Sequence, residues 1–533
     1  MTVPFVLRRA AKTWGDRRFL NCVADGRHFS FSDMDTISNR LANGLHKHGF
    51  TKGQHVAVMV DNSPEQLFVY FALAKIGAVT VKINAAARGE MLKYFLSQSD
   101  STALIIDEAF LPRFIEVAGA VPAIRSFIVN GETIAQDAAA QQRNVVSNTT
   151  RLASLFSNDE TSPPVEVRHS DLAYISYTSG TTGPSKGVLF SQARTVSGGV
   201  KNVEAFGHRS TDVIYVCLPM YHTNAMQGSV YPALLSGARL ILAPRFSVSS
   251  FWSDCREHGV TIVNMLGSMV NFLWNRPPTP EDSQHKVRLA LCAPVPPFAL
   301  QFEERFGMRF VGGYGLTDYH SPLVFTLNDP PEKLGAMGRP CAGFEVAIVD
   351  DDDFPVGIGE SGEIVMRCNI PWYASSGYYR MPEQTLESLR NGWFHTGDRG
   401  RIDEDGYYWF VDRKKDAIRR RGENISAYEV EQILGTHPAV AEAAVFAVRS
   451  EHAEDEVACS IVLRDGASLS ETELIAYCTE NMPRFMVPRF VRFCADLPRN
   501  LSQKIEKYKL QQEAATKRDL YWDREAAGIV INR

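Results

Sequence analysis

Hydrophobic positions along this chain fall into short, nearly unbroken apolar runs separated by stretches of helix length. HVAVMV at 55–60 reads as a strand. NSPEQLFVYFALAKIGA follows as a helix, with Ser63 suited to cap it, Pro64 to open it and Gly77 to stop it, and VTVKI resumes as a strand. The unit recurs as VIYVCLP at 213–219, a segment through Leu235 ending at Ser236 and Gly237, and then ARLILAP. ALIID at 103–107, VRLALCA at 287–293 and EVAIVD at 345–350 extend the series. Such alternation predicts parallel βαβ units and an α/β fold with several sheets. The stretch from Asn144 to Pro164 reads as the main internal loop.

After about residue 410 the texture changes. VDRKKDAIRRRGENIS is densely cationic, and beyond it the elements shorten: AYEVEQILGTHP as a helix, EAAVFAV and EVACSIVL as strands, SETELIAYC as a helix opened by a Ser470/Glu473 capping box. The expected division is a large N-terminal domain over 1–411 and a small α+β domain over 412–533, meeting at Asp412.

The 533 residues, 45% hydrophobic and 22% charged, have the composition of a globular protein with more than one core. A net charge of -5 offers no global basic field, so neither nucleic acid nor an anionic membrane is expected as the main partner. Nine cysteines lie scattered from Cys22 to Cys494 without a metal-ligand spacing, as reduced thiols of a cytoplasmic protein would. The N-terminus lacks the apolar core of a signal peptide, and no apolar run is long enough to span a bilayer. A homodimer is the default assembly for such a chain.

Chemistry concentrates in a few stretches. In YTSGTTGPSKGV, Gly180, Gly183 and Gly187 allow close backbone approach, Thr178, Ser179, Thr181 and Thr182 supply hydroxyls, and Lys186 adds charge. That is equipment for a polyphosphate, although the string is not a Walker loop, because Ser185 and Gly187 flank the lysine. A flexible surface loop is the competing reading. GGYGLTD at 312–318 offers the side-chain-poor backbone of Gly313 and Gly315 beside Tyr314, suited to adenine, then Thr317 and Asp318. FHTGDRG sets Asp398 in what reads as a tight turn, and LPRNLSQKIEK carries Lys504. YHTNA brings His222, a residue type more often structural than functional when alone.

Taken in order, these motifs resemble the acyl-adenylate-forming superfamily of acyl-CoA synthetases, adenylation domains and luciferases, over essentially the whole chain. KIGAVTVKINAAARGE, FWSDCREHGVTIVNML, VDRKKDAIRRRGENIS and LPRN most resemble carnitine/crotonobetaine-CoA ligases. The resemblance implies an enzyme that takes a carboxylic acid, ATP, Mg2+ and CoA, forms acyl-AMP with release of pyrophosphate, and passes the acyl group to CoA.

It also implies roles for particular residues. The loop from Thr178 to Gly187 would hold the β- and γ-phosphates. Thr181 and Asp318 would serve the metal, Asp398 the ribose hydroxyls and Arg413 a second ribose or phosphate contact. Lys504 would act in adenylation, and His222 beside the acyl group. Gly267, Ser268 and LCAPVPP at 291–297 would wall the acyl pocket. The small domain would turn about Asp412 to present Arg419, its arginine neighbours and Gly422 to CoA.

The chain departs from the family pattern where Asp318 replaces the usual Glu, Gln503 the usual Gly, and Leu-Cys-Ala-Pro at 291–294 the Ser-Gly-Gly-Ala of many relatives. One alternative is an adenylation enzyme that loads a carrier protein; the other, suggested by Asp318 and Gln503, is a retired nucleotide-binding homologue. For a quaternary ammonium substrate, Tyr221, Tyr319 and Phe344 are the candidate aromatic faces.

Overall fold

The computed structural model describes residues 1–132, 149–178, 185–413, 418–420, 423–449, 455–500, 504–529 and 531. The apolar runs form two large sheets. In the first, Thr149–Arg151, Ser126–Asn130, Ala103–Asp107, His55–Met59, Val79–Lys82 and Leu172–Tyr177 lie side by side in parallel, closed by antiparallel Gly187–Ser191. In the second, Arg309–Tyr314, Leu289–Cys292, Ile262–Met265, Val213–Val216, Arg239–Leu242 and Arg18–Cys22 run parallel, with antiparallel strands at both edges.

Helix Pro64–Lys75 begins where the sequence places it. The Ser63 side chain accepts from the N–H of Gln66, Pro64 occupies the first turn, and Gly77 takes a φ of 67° just beyond the end. Its apolar residues are buried on every face, because it lies in one continuous core with residues from both sheets. One part of the expected internal loop is more ordered than its composition suggests. Thr149–Arg151 adds to the sheet edge by pairing with Phe127–Val129, and Leu152–Leu155 makes a 3-10 turn. Residues 133–148 are outside the described set.

A third, antiparallel sheet holds Phe344–Val349, Gly362–Cys368, Trp393–Ile402, Leu389–Arg390 and Tyr408–Arg413. From the last of these the chain enters the smaller α+β part. There Val440–Arg449, Asp455–Leu463, Phe490–Phe493 and Trp522–Asp523 form a sheet, accompanied by helices Ala427–Gly435, Glu471–Asn481 and Lys507–Thr516. Its buried residues form clusters of their own, and the Ser470/Glu473 capping box is present. All nine cysteines are free thiols, six of them buried. Among the described residues no helix is long and apolar enough to cross a membrane.

Candidate active site

Parallel strands expose their loops at their C-terminal ends, and the motifs gather there. Leu172–Tyr177 and Gly187–Ser191 form a hairpin whose connection is the phosphate-loop candidate. Its base is pinned: the Thr178 N–H donates to the Lys186 carbonyl at 3.1 Å, and the Tyr94 hydroxyl to the Ser185 carbonyl at 2.8 Å. Ser179, Gly180, Thr181, Thr182 and Gly183 lie outside the described residues. Lys186 sets its Nζ 4.6 Å from the ring centre of Tyr378, whose hydroxyl donates to Asp318 Oδ1 at 2.8 Å. The same tyrosine therefore touches both the loop lysine and the candidate metal carboxylate.

Strand Arg309–Tyr314 carries the GGY motif, and its glycines answer to protein neighbours. A Cβ on Gly312 would meet the Cys292 carbonyl oxygen at 2.3 Å, and one on Gly313 the Leu323 carbonyl oxygen at 2.1 Å. Gly315 is similarly crowded by Ser321 at 2.2 Å. Thr317 and Asp318 occupy the turn that follows.

Asp398 does not sit in a tight turn. It lies within strand Trp393–Ile402, directly opposite Arg413, and Gly397 just before it absorbs a φ of 70°. The antiparallel register brings the pair together across the strands, with Arg413 Nε 3.3 Å from Asp398 Oδ1. Tyr314 completes the cluster by donating to Asp398 Oδ2 at 2.6 Å. Burial and the adjacent carboxylate hold the Tyr314 phenol well above its ordinary pKa, so it remains a donor at every working pH.

Lys504 reaches this cluster from the small domain. The Asn500 side chain accepts from the Lys504 N–H at 3.0 Å, and the Asn500 N–H donates to the Lys504 carbonyl at 2.9 Å, which fixes the turn that presents the lysine. Residues 501–503, including Gln503, are not described. The Lys504 side chain keeps solvent contact. Its pKa is lowered by desolvation of the ammonium and then by Arg413, while Asp398 and Asp318 oppose the shift. Lys504 also acts on His222, which burial, Lys504 and Lys82 together push down to about 4. The neutral imidazole is thus the resting form.

His222 precedes a helix that passes through a π turn at Met226–Val230. Across from it, Asn264 donates to Asn224 Oδ1 at 3.0 Å, and Gly228 admits the Asn264 amide where a Cβ would stand 2.4 Å away. A Cβ on Gly267 would lie 3.1 Å from the Pro294 carbonyl oxygen, and Cys292 Sγ donates to the same oxygen at 3.4 Å. The stretches expected to wall an acyl pocket are therefore neighbours.

Two proposed aromatic faces are not available. Tyr319 is buried in the third sheet's core, stacked on Phe394 with ring centres 4.7 Å apart, and its hydroxyl accepts from the Cys368 N–H. Phe344 is buried against His320. Tyr221 alone of the three adjoins His222.

A scan against family models matches residues 7–379 to the AMP-binding enzyme family and 429–504 to the AMP-binding enzyme C-terminal domain. The chain belongs to the AMP-binding enzyme family. It is a member of the acyl-adenylate-forming superfamily, close to the crotonobetaine/carnitine-CoA ligases. The crotonobetaine/carnitine-CoA ligase of Salmonella paratyphi A is 34% identical over 515 residues, spanning 94% of this chain and 97% of that protein. The Salmonella typhimurium protein of the same name is 33% identical over 519 residues, with the same coverage of both chains. Among solved structures, the anthranilate-CoA ligase AuaEII in complex with anthranoyl-AMP superposes with a TM-score of 0.86 at 24% identity, covering 98% of each chain, a likeness of fold. The o-succinylbenzoate-CoA synthetase of Bacillus subtilis, bound to its acyl-adenylate, gives 0.81 at 25% identity over 95% of this chain and 97% of that one.

Several residues of this AMP-binding enzyme escape a reading by motif. Tyr378 lies in GYY, where nothing local marks it; a bridge between Val188 and Tyr378, with the Tyr379 N–H donating to the Gly187 carbonyl at 2.8 Å, brings it to the loop. Asp412 does more than mark a boundary. Its Oδ1 accepts from the Arg413 N–H at 2.7 Å and its Oδ2 from the Ala427 N–H at 2.6 Å, so the carboxylate sits at the N-terminus of helix Ala427–Gly435.

The cationic run also divides. Arg420 is turned inward, ion-paired with Glu456 at 2.6 Å and donating to the Phe485 carbonyl, so it is part of the small domain's core rather than a CoA contact. Strand geometry accounts for this, because Ile418–Arg420 pairs with Glu423–Ile425 in a hairpin laid against Asp455–Leu463. The side chain of Arg419, and Gly422 altogether, lie outside the described set.

Proposed function

We propose that this family member is an AMP-forming acid–thiol ligase that activates a carboxylic acid with ATP and transfers the acyl group to CoA. The observation that carries the reading is the convergence of Lys504 with Asp318, Asp398, Arg413 and His222, contributed by both parts of the chain. A carboxylate is a poor electrophile, because attack must add charge to a resonance-stabilised anion; joining it to AMP supplies a leaving group.

In this scheme the carboxylate oxygen attacks the α-phosphorus of ATP in line, and pyrophosphate departs. The Lys504 ammonium binds the incoming carboxylate and the α-phosphate oxygens as charge shifts between them. The Asp398 carboxylate accepts from the ribose hydroxyls and is held in place by Tyr314 and Arg413. Thr178, Lys186 and the hydroxyls of their loop receive the β- and γ-phosphates. For thioester formation, we assign the pivot between 1–411 and 412–533 to Asp412. Arg419 and Gly422 then belong to the face that meets CoA.

A lone hard carboxylate, oriented by a tyrosine, fits Mg2+, which takes one or two protein carboxylates together with substrate phosphates. Asp318, aided by Thr181, would hold the ion, whose charge would offset that of the departing pyrophosphate. The Tyr378 hydroxyl then orients the ligand. Tyr378→Phe is expected to weaken the apparent Mg2+ affinity about 10–100-fold while leaving maximal adenylation at saturating metal largely intact. Magnesium titration of ATP–pyrophosphate exchange checks this; an unaltered titration curve would mean that the hydroxyl merely packs.

The acid itself is to be sought in a pooled panel of carnitine-type, short- and medium-chain, aryl and ring-derived acids. Incubating the protein with MgATP, CoA and the pool should yield one defined acyl-CoA by mass spectrometry. Pyrophosphate release without a CoA thioester would point to a carrier protein as acceptor. ATP binding without pyrophosphate release across the whole pool would refute the reading.

A further inference from the structure

Lys82 is an anomaly in the middle of the fold. It ends strand Val79–Lys82, between His55–Met59 and Leu172–Tyr177 in the first sheet, and is 4% exposed. Its ammonium has no hydrogen-bond partner among the described residues. Instead Nζ stands over two aromatic faces, 3.9 Å from the ring centre of Tyr174 and 5.1 Å from that of Tyr70. Lys75, on the neighbouring helix, shows how the fold otherwise buries an ammonium: it donates to Asp35 Oδ1 and Asn39 Oδ1, each at 2.6 Å. A buried cation without a counter-ion is costly, and aromatic faces offset only part of that cost. Packing alone would be better served by methionine.

The surroundings suggest what the cation does. A cavity of about 10 Å³, room for a single water, adjoins Lys82 and is lined by Tyr174, Thr195, Met226 and Tyr231 among others. Met226 lies one helical turn after His222, so Lys82 stands behind the helix whose start carries the candidate acyl-site imidazole. His222 Nε2 and Lys82 Nζ are both buried without hydrogen-bond partners among the described residues.

We propose that Lys82 is a positioning cation: its unpartnered ammonium, behind the His222 helix, keeps a second positive charge from forming on the candidate acyl-site imidazole. The inference rests on the adenylation reading only for the role of His222, and the electrostatics can be measured without substrate.

The charged and titratable groups around His222 are Lys504 from the small domain, Lys82 from the sheet, and Tyr221 beside it, with Asp61 beyond Tyr221. Around Lys82 they are Tyr70 and Tyr174, with Tyr231 across the cavity and Arg194 acting on Tyr174. Burial brings the Lys82 pKa down to about 7, so the ammonium is charged through the acidic range in which His222 would take up a proton. A cation there opposes protonation. Removing it must therefore raise the His222 pKa and move the acid limb of adenylation to higher pH.

The test is the pH profile of ATP–pyrophosphate exchange in wild type, Lys82→Met and Lys82→Arg. In Lys82→Met the acid limb should rise by about one pH unit, the effect of a unit charge within electrostatic reach in a protein interior. Activity near pH 8 should be retained, and Lys82→Arg should keep the wild-type limb. In a His222→Phe background the Lys82→Met shift should vanish.

Imidazole 15N NMR, with the His222 signal assigned through His222→Phe, should show the same rise directly. That measurement still decides the matter if no acid in the pool is activated, and Lys82→Gln serves if the methionine variant does not fold. An imidazole that titrates identically with and without the Lys82 charge overturns the proposal, whatever happens to the melting temperature.

Discussion

Replacing Lys504 with alanine should reduce acyl-AMP formation by about 10²–10³-fold, the loss typical of removing one preorganised charge-stabilising donor. The expectation comes from position. Desolvation and then Arg413 lower the lysine's pKa while Asp398 and Asp318 oppose that shift, which places Lys504 in electrostatic reach of the groups assigned above to nucleotide and metal. The loss should appear in kcat for exchange more than in KM for ATP, because Tyr314, Asp398 and Arg413, to which the proposal gives the nucleoside, are untouched. Conversion of chemically prepared acyl-AMP to acyl-CoA should be much less affected. Equal losses in both half-reactions would assign Lys504 a general structural role.

Asp412→Pro should show the opposite selectivity. Proline fixes φ near -65° and cannot donate from its nitrogen, so a pivot there loses its freedom to turn. Adenylation, performed in the arrangement described, should be the better preserved half-reaction. Thioester formation should fall by about 10²-fold relative to it, the cost of misplacing a reacting group by roughly an ångström. The substitution also removes the carboxylate that accepts from Ala427, so Asp412→Asn, which keeps an acceptor oxygen, is the necessary companion. If Asp412→Asn matches the wild type in both steps while Asp412→Pro loses only the second, backbone rotation accounts for the difference. Comparable losses of both steps in Asp412→Pro would remove the pivot assignment.

Legibility in the sequence followed the range of the interaction. Helix Pro64–Lys75 could be read to the residue because cap, proline and terminal glycine act within a few positions. The buried parallel strands were legible because continuous apolar runs have few other uses. Asp398 reads as a turn residue because GD is a common turn pair, whereas the structure uses the glycine's positive φ inside a strand whose course is set by its partners on either side. Tyr319 and Phe344 illustrate the same limit: an aromatic ring that could face a cation is indistinguishable in sequence from one that fills a core. Tyr378 lies 192 residues beyond Lys186, and no local pattern announces the meeting. Lys82 did leave a trace, as the lone cation in the run AVTVKI, but composition cannot distinguish a buried lysine from an edge-strand one.

The free thiols acquire a chemical meaning beside a mixed anhydride. Acyl-AMP is a potent acylating agent toward thiolates, and Cys292 belongs to the stretch that the proposed function sets against the acyl group. Burial pushes its pKa up to about 12, so at neutral pH the sulfur remains a thiol, occupied in donating to the Pro294 carbonyl. The thiolate, not the thiol, is the nucleophile. Under the proposed function, a catalyst built this way would be spared from consuming its own intermediate, and the acyl group would be left for a sulfur that arrives from outside.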